Sequence, residues 1–190
     1  MSHGIDTGPA VPGIDPDTPM LLQPLARVLQ RVNQVMITLG MIALLVASVV
    51  LTYSVISRYV MNASTDWQDE AAVFLLVGAT FLCSAFVQAL RGHVGIEAIA
   101  GLLPKSLNRL RLMLVDLLGM LFCSFFAWKS WTLFHEAWAE GQTTSSSWAP
   151  PLWIPYALMA AGMTLLSLQL LVQLSGHINA MRKIHPEASA

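Results

Sequence analysis

The sequence predicts an all-α integral membrane protein with four transmembrane helices. Hydrophobic residues make up 55% of the 190-residue chain and charged residues only 11%, well below the ~25% charged residues typical of soluble domains. Four apolar windows of 20 to 23 residues stand out, at residues 35–56, 71–90, 112–134 and 152–174. As a helix, each window is about 30–35 Å long, which is enough to cross a bilayer core.

The windows lack the polar face that a helix of a soluble bundle needs. The first, second and fourth contain no Asp, Glu, Lys or Arg, and the third contains only Asp116 and Lys129. Asp116 lies about one turn inside its window, within reach of water, Arg109 or Arg111. Lys129 is expected near the other end, where a lysine can extend its ammonium group toward the headgroups. Neither charge marks a transport route through the middle of the membrane.

The segments outside residues 35–174 are expected to lie in or against the cytoplasm. Residues 1–20 contain four prolines and three aspartates and lack the pattern of a cleaved signal peptide, so they predict a flexible tail. Residues 21–34 carry apolar side chains at helical spacing, which predicts a short interfacial helix. A cytoplasmic extension of the first span is an equally good interpretation. Residues 175–190 are expected to form a second cytoplasmic tail.

The distribution of basic residues predicts that both termini face the cytoplasm. Eight of the ten Lys and Arg residues lie in the terminal segments or in the loop between the second and third windows, and only Arg58 and Lys129 lie on the other side. The positive-inside rule therefore favours an N-in, C-in arrangement. All six tryptophans are expected at the opposite, outer ends of the windows, where they would form an aromatic rim.

Polar residues flank the second window at both ends. On the outer side, Arg58 is followed by Trp67, Asp69 and Glu70. Thr65 and Gln68 have the spacing of a capping box, and the acidic residues suit the positive end of a helix dipole. Helix capping is therefore as good an explanation of this cluster as a functional role.

The inner side of the second window carries a different set of polar residues. Arg91, His93 and Glu97 follow the window, and apolar residues at helical spacing up to Pro104 predict a second surface helix. Within the windows, small residues recur at helical spacing, for example Gly40 in the first. They predict close helix packing.

The residue patterns of enzymes and redox proteins are not found. The histidines lie in the tails or at window ends on two different sides, and Cys83 and Cys123 are not in a Cys-x-x-Cys arrangement. No nucleotide-binding loop or nucleophile motif is seen. We therefore expect no enzymatic activity, no cofactor and no metal site.

Taken together, residues 35–174 resemble the small membrane subunit of tripartite ATP-independent periplasmic (TRAP) transporters, the DctQ-like family. The resemblance rests on short motifs in a fixed order along a four-span frame. These are Arg58-Tyr59, Trp67 with Glu70, Gly78, the passage from Arg91 to Glu97 with His93 inside it, Leu103-Pro104, and the Pro- and aromatic-rich residues 148–156. Two departures are Glu97, where Asp is more usual, and Asp69, an additional acid beside Glu70.

The resemblance implies a subunit of a bacterial inner-membrane complex. Its partners would be a large membrane subunit that carries the substrate and sodium sites, a periplasmic substrate-binding protein and membrane lipids, with no nucleic acid. The complex would take up an organic acid such as a C4-dicarboxylate. In this picture Arg58, Trp67, Asp69 and Glu70 order outer loops or touch the binding protein. Arg91 and Glu97 set the turn into the inner surface helix.

Two alternatives from other functional classes remain at this point. One is a small transporter that works as a homo-oligomer, which would need a polar group at mid-span. The other is a membrane anchor or assembly subunit of another inner-membrane complex, which would need well-placed His or Cys ligands if that complex were a redox system.

Overall fold

The fold consists of four long α-helices, seen in a computed structural model that describes residues 18–62, 65–90 and 105–184. The helices are α1 (Gln23–Val60), α2 (Asp66–Ala89), α3 (Lys105–Glu140) and α4 (Trp153–Ile184). All four are long and apolar enough to cross a membrane. The predicted all-α fold with four spanning helices is therefore confirmed. We call the end where α1 ends and α2 begins the outer end, and the opposite end the inner end.

The helices form an open row in the order α1, α2, α4, α3. Extensive contacts join α1 to α2, α2 to α4 and α4 to α3, whereas α1 touches α4 only slightly. A stacked ring pair between Phe81 and Phe126 adds a contact from α2 to α3. In the most apolar stretch of each helix, 28% and 33% of the residues are buried in α2 and α4, but only 11% and 17% in α1 and α3. The two edge helices therefore expose most of their surface.

Small residues allow the helices to approach closely, as their spacing predicts. Ala47 of α1 and Ala85 of α2 are almost fully buried, and Cys123 and Ala127 of α3 lie in a cluster packed against α4. At Gly162 of α4 the helix comes close to the backbone of α2, and an added Cβ would lie 2.5 Å from the carbonyl carbon of Phe81. In lipid such van der Waals contacts are a main source of helix association.

The N-terminal part of the chain is part of α1. Residues 21–34, for which a separate interfacial helix was expected, include the first turns of this continuous 38-residue helix. The alternative, an extension of the first span, describes the structure better. Ala26 and Leu29 are buried against Val172 of α4, so the helix gains apolar contacts by continuing straight.

The helices also extend past the apolar windows at their other ends. Residues 175–184, expected as part of a tail, continue α4 to Ile184, and His177 there is held against α3. Similarly, α3 continues to Glu140 rather than ending near residue 134. The predicted inner surface helix and most of the predicted tails lie outside the described residues.

Candidate functional site

An ion pair joins the outer ends of α1 and α2. Arg58 Nη2 donates to Asp69 Oδ2 at 3.0 Å and to Thr65 Oγ1 at 2.7 Å. The hydroxyl of Ser54, one turn before Arg58, donates to the other carboxylate oxygen, Asp69 Oδ1, at 3.0 Å. Asp69 therefore binds two residues of α1 across the connection between the helices. We call Ser54, Arg58, Thr65 and Asp69 the outer cluster.

The outer cluster adds little to the free energy of folding, and its main effect is to position the ends of α1 and α2. The side chains of Arg58 and Asp69 are 56% and 51% exposed, and exposed ion pairs contribute only about 0–1 kcal/mol. Ser54 and Thr65, by contrast, are buried. The hydrogen bonds therefore hold the end of α1 against the start of α2.

The predicted capping box at the start of α2 is wrong. Thr65 is the residue before the helix, but its side chain makes no capping hydrogen bond. Its hydroxyl accepts the hydrogen bond from Arg58 instead, because the guanidinium group of the preceding helix reaches it. The sequence pattern considered only contacts within one helix, and the contact that forms comes from the neighbouring helix.

Aromatic residues cover the outer end beside this cluster. Trp67, at the start of α2, packs edge to face on Trp148 of the α3–α4 loop, with ring centroids 6.5 Å apart. Trp138 and Trp153 pack in the same way at 5.0 Å across the ends of α3 and α4. The loop is closed by backbone hydrogen bonds, among them Leu152 N to Gln142 O at 2.9 Å. This end therefore presents an ordered surface with exposed tryptophans.

The expected rim contains four of the six tryptophans rather than all six. Trp128 and Trp131 lie deeper, because α3 continues to Glu140. Trp131 Nε1 donates to Thr164 Oγ1 of α4 at 3.2 Å, and Thr164 is more than two helical turns below the start of α4 at Trp153. The indole of Trp131 thus contributes to packing between α3 and α4.

Of the remaining candidate residues, the structure describes Glu70. Glu70 follows Asp69 directly but is not part of the ion pair, and its Oε2 atom is buried with no hydrogen-bond partner among the described residues. Arg91, His93 and Glu97 lie outside the described residues.

A row of polar side chains on α4 was not expected from the sequence. Gln169, Gln173 and His177 lie four residues apart, and each contacts a different helix. Gln169 Oε1 accepts from Asn33 Nδ2 of α1 at 3.2 Å, and Asn33 is only 1% exposed. We call these three residues the α4 polar row.

The second member of the α4 polar row holds the end of α2. Gln88 Nε2 donates to Gln173 Oε1 at 2.9 Å, and Gln173 Nε2 donates to the backbone carbonyl of Gln88 at 3.0 Å. Carbonyls in the last turn of a helix have no donor four residues later. Gln173 thus supplies a side-chain donor where α2 ends.

The third member pairs with the acidic residue of α3. His177 Nε2 lies 3.2 Å from Asp116 Oδ2, and the two side chains are only 12% and 7% exposed. Asp116 was expected near water, Arg109 or Arg111, and the structure pairs it with His177 instead. The sequence missed this contact because His177 lies beyond the fourth apolar window and was assigned to a tail. The four-residue spacing of Gln169, Gln173 and His177 is the signal that predicts one polar face.

The described part of the chain brings together no metal-binding or redox-active group of side chains. No group of three His, Cys, Asp or Glu side chains there could hold a metal ion. Cys83 and Cys123 are free thiols on different helices, and Cys83 Sγ lies 3.7 Å from the backbone oxygen of Met36. Cys123 lies in a hydrophobic cluster between α3 and α4.

Comparison with known proteins assigns the chain to a family. Residues 47–179 match the model of the tripartite ATP-independent periplasmic transporters, DctQ component. The chain belongs to the DctQ family. The family is a transporter component and not an enzyme. The matched range of this DctQ-type chain contains the outer cluster and the Asp116–His177 pair, while Asn33 precedes it.

Two curated relatives are similar at low identity. The C4-dicarboxylate TRAP transporter small permease protein DctQ of Vibrio cholerae serotype O1 is 24% identical over 147 residues, covering 66% of this chain and 63% of the relative. The isethionate TRAP transporter permease protein DctMQ of Oleidesulfovibrio alaskensis is 23% identical over 145 residues, covering 73% of this chain and 22% of the relative. The DctQ-type chain thus spans less than two thirds of either relative.

Proposed function

We propose that this chain is the small membrane subunit of a TRAP transporter and that it braces a large membrane subunit during uptake of an organic acid. The observation that carries this proposal is the family match across residues 47–179, which covers most of the four helices. The DctMQ relative, of which this chain matches 22%, supports a large membrane partner. Uptake would depend on a periplasmic binding protein and be coupled to sodium, with a C4-dicarboxylate as the leading substrate class.

The arrangement of polar groups supports a bracing role rather than a translocation path. The polar side chains of the α4 polar row contact partners on the other three helices. Such contacts hold helices in a fixed order, whereas a substrate path needs polar groups facing a cavity. The open row of helices also leaves the surfaces of α1 and α3 accessible to another membrane protein.

The outer end supports a docking role for the binding protein. In the proposed N-in, C-in orientation, the outer cluster and the exposed tryptophans Trp67 and Trp148 face the periplasm. They form a surface ordered by the Arg58–Asp69 ion pair and the closed α3–α4 loop. Arg91 and Glu97 would act at the opposite end, where they would set the turn that follows α2.

Reconstitution tests the proposed function directly. The chain and its large subunit are expected to co-purify in detergent. In vesicles, uptake of a labelled C4-dicarboxylate should require both membrane subunits, the binding protein and an inward sodium gradient. Full uptake by the large subunit and binding protein without this chain would contradict the bracing role, while uptake of a different organic acid would revise only the substrate.

A further inference from the structure

Lys129 lies well inside α3, about three helical turns before the helix ends at Glu140. On α3 it lies between Ser124, which hydrogen-bonds to Ser167, and Trp131, which hydrogen-bonds to Thr164. From the start of α4 at Trp153, Thr164 is about 16 Å along the helix axis, roughly half of a ~30 Å bilayer core. Lys129 therefore lies deeper than the end of the helix at which it was expected, because α3 continues well beyond the third apolar window.

The side chain of Lys129 is exposed on the edge of the helix row. Its apolar neighbours at helical spacing are exposed too, at 64% for Leu118, 65% for Phe122, 56% for Phe125 and 41% for Leu133. Lys129 Nζ lies 5.1 Å from the ring centroid of Trp128, a cation–π contact that offsets part of the desolvation cost. Among the described residues, no carboxylate lies within salt-bridge distance of it.

A charge at this depth needs more than lipid around it. Ionisable residues within membrane-spanning segments almost always face protein or a water-filled cavity, and they pair with other groups there. The other edge of the row offers a comparison. Residues 35–56 of α1 contain no charged residue, so no charge on that edge needs a partner. The α3 edge carries the charge of Lys129 and is therefore the one that is expected to contact another protein.

A second copy of this chain does not supply the missing carboxylate. Two copies related by an axis along the membrane normal would place Lys129 against Lys129 at the same depth, which is repulsive. The acidic residues on the same side of α3, Glu136 and Glu140, lie about two and three turns nearer the outer end. We therefore expect the partner in a different chain, with an acidic group at the depth of Lys129.

We propose that the face of α3 formed by Leu118, Phe122, Phe125, Lys129 and Leu133 packs against a helix of the large membrane subunit, and that a carboxylate of this helix pairs with Lys129. The proposal rests on the proposed function, since it takes the large subunit as the partner. The phenyl rings would fill the interface on one side of the ion pair. The charge pair would fix the height at which the two subunits meet.

Photo-cross-linking within the intact complex tests which face is covered. A benzoylphenylalanine is placed at Phe125, next to Lys129, or at Leu45 of α1, which is 69% exposed and serves as the matched control. Position 125 should cross-link to the large subunit and position 45 should give much less of this product. No excess from position 125, a cross-linked pair of this chain, or adducts with lipid alone would overturn the proposal.

Charge variants test the ion pair itself. Lys129→Glu should lower recovery of the large subunit about tenfold or more, because it would face a like charge, whereas Lys129→Arg should preserve recovery. An Asp or Glu changed to Lys in a membrane helix of the large subunit should then restore recovery with Lys129→Glu. Unchanged recovery with Lys129→Glu would overturn the ion pair. If the unaltered chain recovers no large subunit, the proposed function fails as well.

Discussion

His177 Nε2 of α4 lies 3.2 Å from Asp116 Oδ2 of α3, with both side chains largely buried. The pair is the innermost of the three contacts by which the α4 polar row reaches the other helices. In an open row each helix is held mainly by the helix beside it. The α4 polar row supplies directional contacts for this purpose, in addition to the contacts between small residues.

Removing His177 is expected to destabilise the fold. In His177→Ala, the carboxylate of Asp116 stays buried without its imidazole partner, which should lower the free energy of unfolding by about 1–3 kcal/mol. Unfolding in mixed micelles with increasing SDS measures the loss. The double variant with Asp116→Ala should lose less than the sum of the two single variants, because the residues share one interaction. Additive losses would argue against the pair.

Replacing Asp116 should not affect the coupling ion. In the structure this carboxylate is engaged by His177 of the same chain, so it is not available to a transported sodium ion. We expect Asp116→Asn to leave the sodium dependence of uptake unchanged, even if the amount of folded protein falls. Uptake in vesicles at a series of sodium concentrations measures this dependence. A shifted dependence would show that α3 takes part in coupling.

Two glycines at helix contacts, Gly162 and Gly119, should respond in opposite ways to replacement by alanine. At Gly162 the added Cβ meets the backbone of Phe81, which cannot move aside, so Gly162→Ala should cost about 1–3 kcal/mol. At Gly119 the added Cβ would lie 3.5 Å from the Leu170 side chain, an ordinary contact. Gly119→Ala should therefore be neutral or stabilising by up to about 1 kcal/mol, the usual difference between the two residues in a helix. Equal effects would mean that α2 and α4 are farther apart.

The two acidic residues at the outer end, Asp69 and Glu70, are expected to have different roles. Asp69 is held by Arg58 and Ser54, so Asp69→Asn should mainly loosen the turn between α1 and α2. Glu70 is outside this pair, and Glu70→Ala should reduce binding-protein-dependent uptake while the subunit still inserts and co-purifies. Uptake assays with a series of binding-protein concentrations distinguish a docking defect from a loss of protein. Normal uptake with Glu70→Ala would remove Glu70 from the docking surface.

The orientation can be tested by labelling single cysteines. In a background with Cys83→Ser and Cys123→Ala, Ser145→Cys in the exposed α3–α4 loop should react with a membrane-impermeant maleimide on intact spheroplasts. A cysteine appended to the C-terminus should react only after the membrane is permeabilised. The opposite pattern would reverse the predicted N-in, C-in arrangement and with it the assignment of the outer cluster to the periplasm.

Much of the fold could be predicted because each spanning helix satisfies its own backbone. The length and apolarity of four windows indicate spanning helices, and the small residues that recur within the windows were correctly expected at helix contacts. The ends of the elements were less predictable. α1 begins well before residue 35 and α4 continues to Ile184, since contacts such as Leu29 with α4 stabilise turns that hydropathy alone assigns elsewhere.

The candidate site was predicted only in part. Arg58 and Asp69 do meet at the outer end, because a short connection between antiparallel helices must bring their ends together, while Trp67 packs on Trp148. The predicted hydrogen-bond partner of Thr65 was wrong, since its hydroxyl accepts from the guanidinium of Arg58 and does not cap α2. Asp116 and His177 could not be paired from sequence, because they lie on different helices and the contact depends on how α3 and α4 are aligned.

The sequence by itself determined the four apolar helices and the side of the membrane that its basic residues favour, because hydropathy and charge act on each segment separately. Only the tertiary structure decided the order α1, α2, α4, α3, the partners of the α4 polar row and the depth of Lys129. These features depend on which helix faces meet and on their relative height along the helix axes. Both are set by packing between residues far apart in the chain.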